Sequence, residues 1–349
     1  RLLDVEVAAQ KLVIRRSDER FAPFTIEAPA PPASSARFDG EDVRIARGEA
    51  VIAGRVTKPT GAKERLPAVF FISGSGAQDR NGSSAGLDLG THEILDRLTT
   101  DGFLVLRVDD RGAGASSAPP DNMSYLDLVA DARACVAFLA QRDDVDPTRI
   151  ALIGHSEGGE TAPLLALEAL PIAAVVLMAA PGRPLLEIMT DQNRAALEAG
   201  GLSGAELEAE LAKVVDLLKR LCGSGPIDPD ELPADQRSVL ANRAWLQTHA
   251  QQDPLATIRA VRCPVLVLQG AKDFQVALER DARALDAALT AAAHPDHELR
   301  VFAELDHLFK KSPGLKSNLA DYAKDRRVDA EFLDVLSTWL RKRLMPQPR

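Results

Sequence analysis

Between Arg149 and Gly159 the chain reads Arg-Ile-Ala-Leu-Ile-Gly-His-Ser-Glu-Gly-Gly, an apolar run that ends in Gly-x-Ser-x-Gly. Leu164, Leu165 and Leu167 follow at helical spacing. A serine between a strand and a helix, flanked by glycines that let the two backbones pass close together, is a nucleophile elbow. Its chemistry is acyl transfer, with Ser156 as the attacking group. A chance glycine turn is the competing reading, since such short matches recur through composition alone. The strand before it, the helix after it and the partners downstream favour the elbow.

A serine hydroxyl is a poor nucleophile until a base takes its proton, and the base needs an acid to fix its tautomer and stabilise the imidazolium. In this setting the partners follow in the order serine, acid, histidine. The apolar run Pro264 to Leu268 leads into Gln-Gly-Ala-Lys-Asp and so sets Asp273 beyond a strand end. Arg300 to Phe302 leads into Ala-Glu-Leu-Asp-His-Leu-Phe, which does the same for His307. Open α/β sheets build their sites at the carboxyl ends of strands. Of the six histidines, His155 lies inside the elbow and faces away, His92 precedes the required order, His249 falls in a helical segment, and His294 and His297 sit in a polar turn. That leaves His307 as the base. Asp306 adjoins it and so points elsewhere, and the strand ending at Met178 leads to Ala-Ala-Pro-Gly without a carboxylate. Asp273 is therefore the acid.

Acyl transfer also needs donors for the tetrahedral oxyanion. One is expected from the Glu157 N–H, at a helix N-terminus. The second is expected from the loop after Ile72, Ser-Gly-Ser-Gly-Ala-Gln-Asp-Arg, through the N–H of Ser75 or, failing that, Gly76. A bare glycine-rich turn is the alternative there. Gly112-Ala113-Gly114 resembles a dinucleotide fingerprint, but Pro119-Pro120 blocks the helix it requires, so Asp110-Arg111-Gly112 reads as a structural turn. Asp79 and Arg80 suit either a substrate contact or an ion pair that staples the loop.

These residues need a sheet to carry them. Val43 to Ile45 and Val51 to Val56 alternate as an antiparallel hairpin. Pro67 to Ile72, Phe103 to Val108, the elbow strand, Ile172 to Met178, Pro264 to Leu268 and Glu298 to Phe302 are apolar strands. Helical patterns separate them over His92 to Leu98, Leu126 to Leu139 and Ala277 to Leu289, and Phe332 to Leu340 closes the chain as an amphipathic helix. Strand–helix alternation predicts an α/β fold with a mostly parallel, doubly wound sheet. It breaks between Pro181 and Arg262, where a capping-box pattern at Ser203 and Glu206 opens an apolar helix face from Leu207 to Leu221, and Val239 to Ala250 reads as another helix after a turn-rich joint from Gly223 to Pro233. This is read as a helical cap, which of Leu185, Ile188, Met189, Trp245 and Leu246 face the site being left open. The expected organisation is a core over 37–182 and 263–349, a cap over 183–262, and an N-terminal extension, or the remnant of an upstream module, over 1–36 with proline-rich extended chain from Ala28 to Ala36.

A chain of 349 residues with 46% hydrophobic and 27% charged residues affords a real core, and no apolar run is long enough to span a bilayer. A net charge of -9 gives no footprint for nucleic acid. Cys135, Cys222 and Cys263 are too widely spaced for a metal site or a disulfide framework, and burial as free thiols is expected for Cys135 and Cys263. The chain starts at Arg1, as a processed or trimmed product does, so the compartment stays open.

With these motifs assembled, the chain resembles the α/β-hydrolase superfamily over roughly residues 40 to 345, and more narrowly the bacterial EstD-type carboxylesterases. The resemblance is carried by Gly74 to Arg80, Gly154 to Gly159, Leu268 to Asp273 and Leu305 to Phe309, in that order. The family pattern often has proline at the position of Ala77 and asparagine at that of Asp306. The resemblance implies an α/β-hydrolase fold, Ser156 as nucleophile, Asp273 as acid, His307 as base, the helical insertion as a lid over an acyl pocket, and a preference for short acyl esters. The expectation is a serine carboxylester hydrolase with a small-molecule ester substrate, needing neither metal nor cofactor. A peptidase or aminopeptidase, a thioesterase and a carbon–carbon hydrolase are alternatives within the fold. A non-catalytic binding module is disfavoured because a binder has no need of all three residues.

Overall fold

The segment Leu-Pro-Ala-Val-Phe-Phe-Ile over 66–72 carries no charge, which suits a strand covered on both faces. It lies mid-sheet in the computed structural model, which describes residues 38–232 and 234–345 together with three short strands, Asp4–Ala8, Lys11–Arg15 and Phe24–Glu27. Those three pair antiparallel in chain order. The proline-rich stretch from Ala28 to Ala36 lies outside the described residues, as does Pro233.

The main sheet has strands β1 (Phe38–Arg47), β2 (Ala50–Pro59), β3 (Leu66–Ile72), β4 (Leu104–Val108), β5 (Val145–His155), β6 (Ile172–Met178), β7 (Val265–Gly270) and β8 (His297–Phe302). Their spatial order is β1-β2-β4-β3-β5-β6-β7-β8. The expected hairpin is present, with Val43 opposite Gly54 and Ile45 opposite Ile52, and β2 runs antiparallel to β4. Every other pairing is parallel. The fold is thus α/β with a mostly parallel sheet. Alternate residues of one strand feed opposite cores. Ile150 and Leu152 of β5 pack with α2 (Tyr125–Ala140) and α3 (Gly158–Ala166), while Ala151 and Ile153 pack on the face covered by α1 (Thr91–Thr100) and α9 (Ala330–Leu344). Because β3, β5 and β6 are parallel and adjacent, the loops after them emerge at one edge.

Between β6 and β7 lie α4 (Leu185–Ala199), α5 (Gly204–Cys222), short 3-10 turns, α6 (Arg243–His249) and α7 (Pro254–Ala260). Three details depart from expectation. Ser203 precedes α5 but its side chain makes no cap, because Gly204 enters at φ +57 and turns the helix start away from it. The helix expected over 239–250 is 3-10 up to Asn242 and α-helical only from Arg243. The helix after β7 starts as a π-turn, Leu278–Ala282, before α8 (Arg283–Ala291). There Asp281 is fully buried and accepts from the Gly182 N–H, the Ala277 N–H and the Arg183 guanidinium, a polar staple that competes with regular winding. Cys135 is buried, whereas Cys263 is only half-buried.

Candidate active site

Ser156 follows β5 with φ 53, a left-handed conformation that a serine adopts only when its surroundings impose it. Packing imposes it here. A Cβ on Gly154 would lie 2.0 Å from the Gly158 carbonyl oxygen, and one on Gly158 would lie 2.2 Å from that of Ile72. Strand, turn and helix are thus closer than any side chain permits, and the Ser156 N–H is tied to Met178 O at 2.9 Å. On the other side the loop after β3 presses in, since a Cβ on Gly74 would lie 3.0 Å from Ser156 Cβ.

Asp273 and His307 meet in the loops after β7 and β8. Asp273 Oδ2 accepts from His307 Nδ1 at 2.7 Å and from Gln269 Nε2 at 3.0 Å. Its Oδ1 accepts from the Gln275 and Val276 N–H groups at 2.7 and 3.0 Å. With its proton on Nδ1, His307 has Nε2 free to act as a base. Ser156 Oγ and His307 Nε2 share no hydrogen bond among the described contacts; the link between the two loops runs through His155, whose Nε2 contacts His307 O at 2.9 Å. The His155 and His307 rings lie 4.7 Å apart. Burial, with His307 adding to it, pulls His155 down to about 3, so its ring is neutral at ordinary pH. Asp306 points away, as expected, and its charge is taken up by Arg326 Nη1 at 2.6 Å and by the Leu308 and Lys310 N–H groups.

The Glu157 and Ser75 N–H groups have no acceptor among the described residues. Their side chains meet, the Ser75 hydroxyl donating to Glu157 Oε2 at 3.0 Å. His249 of α6 is buried between the Glu160 carboxylate at 3.2 Å and that of Glu157 at 3.7 Å, and its ring stacks on Tyr125 at 4.2 Å. Burial lowers the basicity of His249, but the two carboxylates outweigh it and the net direction is up. Burial also raises Glu157, against the pull of His249 and Ser75.

Asp110 forms a turn, accepting from Ser73 Oγ at 2.7 Å and from the Gln78 N–H at 3.0 Å. Burial, with Glu157 and Asp109 adding like charge, pushes its carboxyl up to about 7. Arg80 staples the loop through Asp109 at 2.6 Å and not through its neighbour Asp79, which accepts the Asn81 and Ser83 N–H groups instead. A cavity of about 680 Å³ adjoins the elbow, walled by Ser75, Asp110 and Glu157 of the core and by Met189, Trp245 and Leu246 of the helical insertion. Leu185 and Ile188 are buried away from it, and Ser156 stands outside its wall.

Sequence reasoning missed Gln269, His155 as a support, and Arg326. The first two lie inside motifs already singled out, so their polarity on an apolar strand was the available signal. Arg326 offered none.

The family model described as Hydrolase_4, serine aminopeptidase S33, matches residues 89–311. Esterase EstD of Thermotoga maritima is 29% identical over 289 residues, covering 83% of this chain and 65% of its own length. An uncharacterized protein of Mycobacterium tuberculosis is 33% identical over 165 residues, 47% of this chain and 54% of its own. The chain therefore spans under two thirds of the length of either relative. Among solved structures, the Pyrococcus furiosus esterase Pf2001 aligns with a TM-score of 0.58 at 16% identity, covering 91% of this chain and 97% of its own. The esterase of Pyrobaculum calidifontis aligns at 0.53 and 20% identity, over 87% and 85%. At these identities the structural likeness speaks for the fold alone.

Proposed function

The chain belongs to the Hydrolase_4 family, serine aminopeptidase S33, and on that footing we propose that it is a serine carboxylester hydrolase acting on short-chain acyl esters. The observation that carries this reading is the buried Asp273–His307 pair at 2.7 Å, set at the same sheet edge as a left-handed Ser156. In the reaction His307 Nε2 takes the Ser156 proton as Oγ attacks the ester carbonyl. The oxyanion is received by the Glu157 and Ser75 N–H groups, and His307 returns the proton to the departing alcohol. Water, deprotonated by His307, then attacks the acyl-enzyme and frees Ser156. Without substrate such serine–histidine contacts are commonly long, and they tighten as the reacting carbonyl arrives. The helical insertion 183–262 acts as the lid.

Short acyl groups are favoured because the cavity wall near the elbow holds Asp110, Arg111 and Glu157. An alkyl chain laid over these largely buried polar groups gains less than one laid on an apolar wall. The similarity to esterase EstD supports ester over amide hydrolysis. The family's description favours aminopeptidase as a second reading. Among the described residues no helix is long and apolar enough to cross a membrane.

The test is kcat/KM on p-nitrophenyl esters of rising acyl length beside an aminoacyl-anilide, each with Ser156→Ala. A maximum at short acyl chains with negligible anilide cleavage, lost by several orders of magnitude in Ser156→Ala, is the expected result. Preferred anilide cleavage would install the second reading. Undiminished turnover in folded Ser156→Ala would refute both.

A further inference from the structure

Residue 75 offers an N–H to the oxyanion yet is tethered by very little. Among the described residues its backbone makes no hydrogen bond, and its neighbour Gly76 takes φ +90. Its one hydrogen bond runs from its hydroxyl to Glu157 Oε2, at 3.0 Å. Glu157 is the contrary case, a carboxylate 6% exposed, adjoining the nucleophile and faced by His249, itself fixed between Glu160 and the Tyr125 ring. A buried carboxylate is retained at a cost in desolvation, which a neutral residue in the same place would avoid.

We propose that the Glu157 carboxylate is a positioning group that holds Ser75, at the tip of a loop that Asp110 anchors only at Ser73 and Gln78, against the elbow and so sets the distance between the two oxyanion donors. The inference rests on the esterase reading and deepens it. Glu157 then contributes twice: its N–H touches the substrate oxygen, while its side chain acts through Ser75. An oxyanion donor counts only when aimed where charge develops, so freeing the loop lowers kcat and leaves KM nearly unchanged.

The experiment measures kcat and KM on p-nitrophenyl acetate for Glu157→Ala, Glu157→Gln, Ser75→Ala and the Ser75→Ala/Glu157→Ala double variant. Both single alanine variants should lose between about tenfold and a hundredfold in kcat, with KM within about threefold. The double variant should be no worse than the poorer single one, because each removes the same tether. Glu157→Gln keeps an acceptor for the Ser75 hydroxyl and should recover most of kcat. Multiplying losses, an unchanged kcat in Ser75→Ala, or a glutamine variant as poor as alanine would each overturn the inference. Should Glu157→Ala fold badly, Ser75→Ala decides alone, since that side chain lies at the surface and its N–H survives. Ser156→Ala separates the two claims: if it retains activity the esterase reading falls, whereas a dead Ser156→Ala beside a fully active Ser75→Ala removes only the positioning role.

Discussion

Replacing Asp273 by asparagine changes one atom and should disable the site through the tautomer of His307. Each carboxylate oxygen already has two donors: Oδ1 takes the Gln275 and Val276 N–H groups, and Oδ2 takes His307 Nδ1 and Gln269 Nε2. The two backbone donors cannot become acceptors, so the asparagine oxygen stays at the Oδ1 position and its NH2 falls at Oδ2. There it confronts two N–H groups. Gln269 could turn its amide and present Oε1, which lacks a partner among the described residues, but Nε2 would then leave Gly270 O and Val276 O, both at 3.1 Å. The remaining relief is for His307 to carry its proton on Nε2, and in that form it cannot accept one from Ser156. A wrong tautomer of this kind lowers kcat by about 10⁴-fold, equivalent to about 5.4 kcal/mol of barrier. The assay is steady-state hydrolysis of p-nitrophenyl acetate beside near-UV circular dichroism. The asparagine variant should be folded and nearly inert. A folded Asp273→Asn retaining kcat within tenfold of the parent would refute the argument.

Two further predictions concern stability. Asp110 stays protonated to about 7 in the fold against an ordinary 3.8, so between those values the unfolded chain binds fewer protons than the native one. Its contribution to stability is therefore full below about pH 4 and is lost as pH rises towards 7. Asp110→Asn cannot ionise, and the parent-minus-variant difference in unfolding free energy should fall by about 4 kcal/mol from acid to neutral pH, measured by urea denaturation; parallel profiles would refute it. Gly158→Ala would place a Cβ 2.2 Å from Ile72 O, a backbone atom in the sheet, and should cost about 3 kcal/mol or more. Gly225→Ala meets nothing within 4 Å and should change stability by under about 0.5 kcal/mol. Equal thermal midpoints for the two alanine variants would show that the close approach at the elbow is not what demands glycine.

Much of the fold was legible because it rests on local rules. Charge-free runs such as those over 67–72 and 172–178 are strands since only a doubly covered position tolerates them; the second appears at its expected bounds and the first begins one residue earlier, at Leu66. The elbow was legible because its glycines answer a backbone distance, which composition alone records. Legibility fails where a distant group competes with local preference. The π-turn at Leu278–Ala282 depends on Asp281 meeting Arg183 nearly a hundred positions earlier. Nor does the spacing of Ser203 and Glu206 reveal that Gly204 would enter the helix left-handed. The same limit applies within the site. Chain order brings Asp273 and His307 to one edge, but not the contact between Ser75 and Glu157, which joins an exposed loop to the buried start of α3, 82 positions on, through side chains ordinary in type. A single sequence records what each segment requires of its own backbone; it is silent on polar partners brought together by the fold, because serine, glutamate and arginine satisfy themselves in water equally well. The residues proposed to tune the chemistry are drawn from that silent class, while those proposed to perform it, fixed to strand ends by glycine and burial, are not.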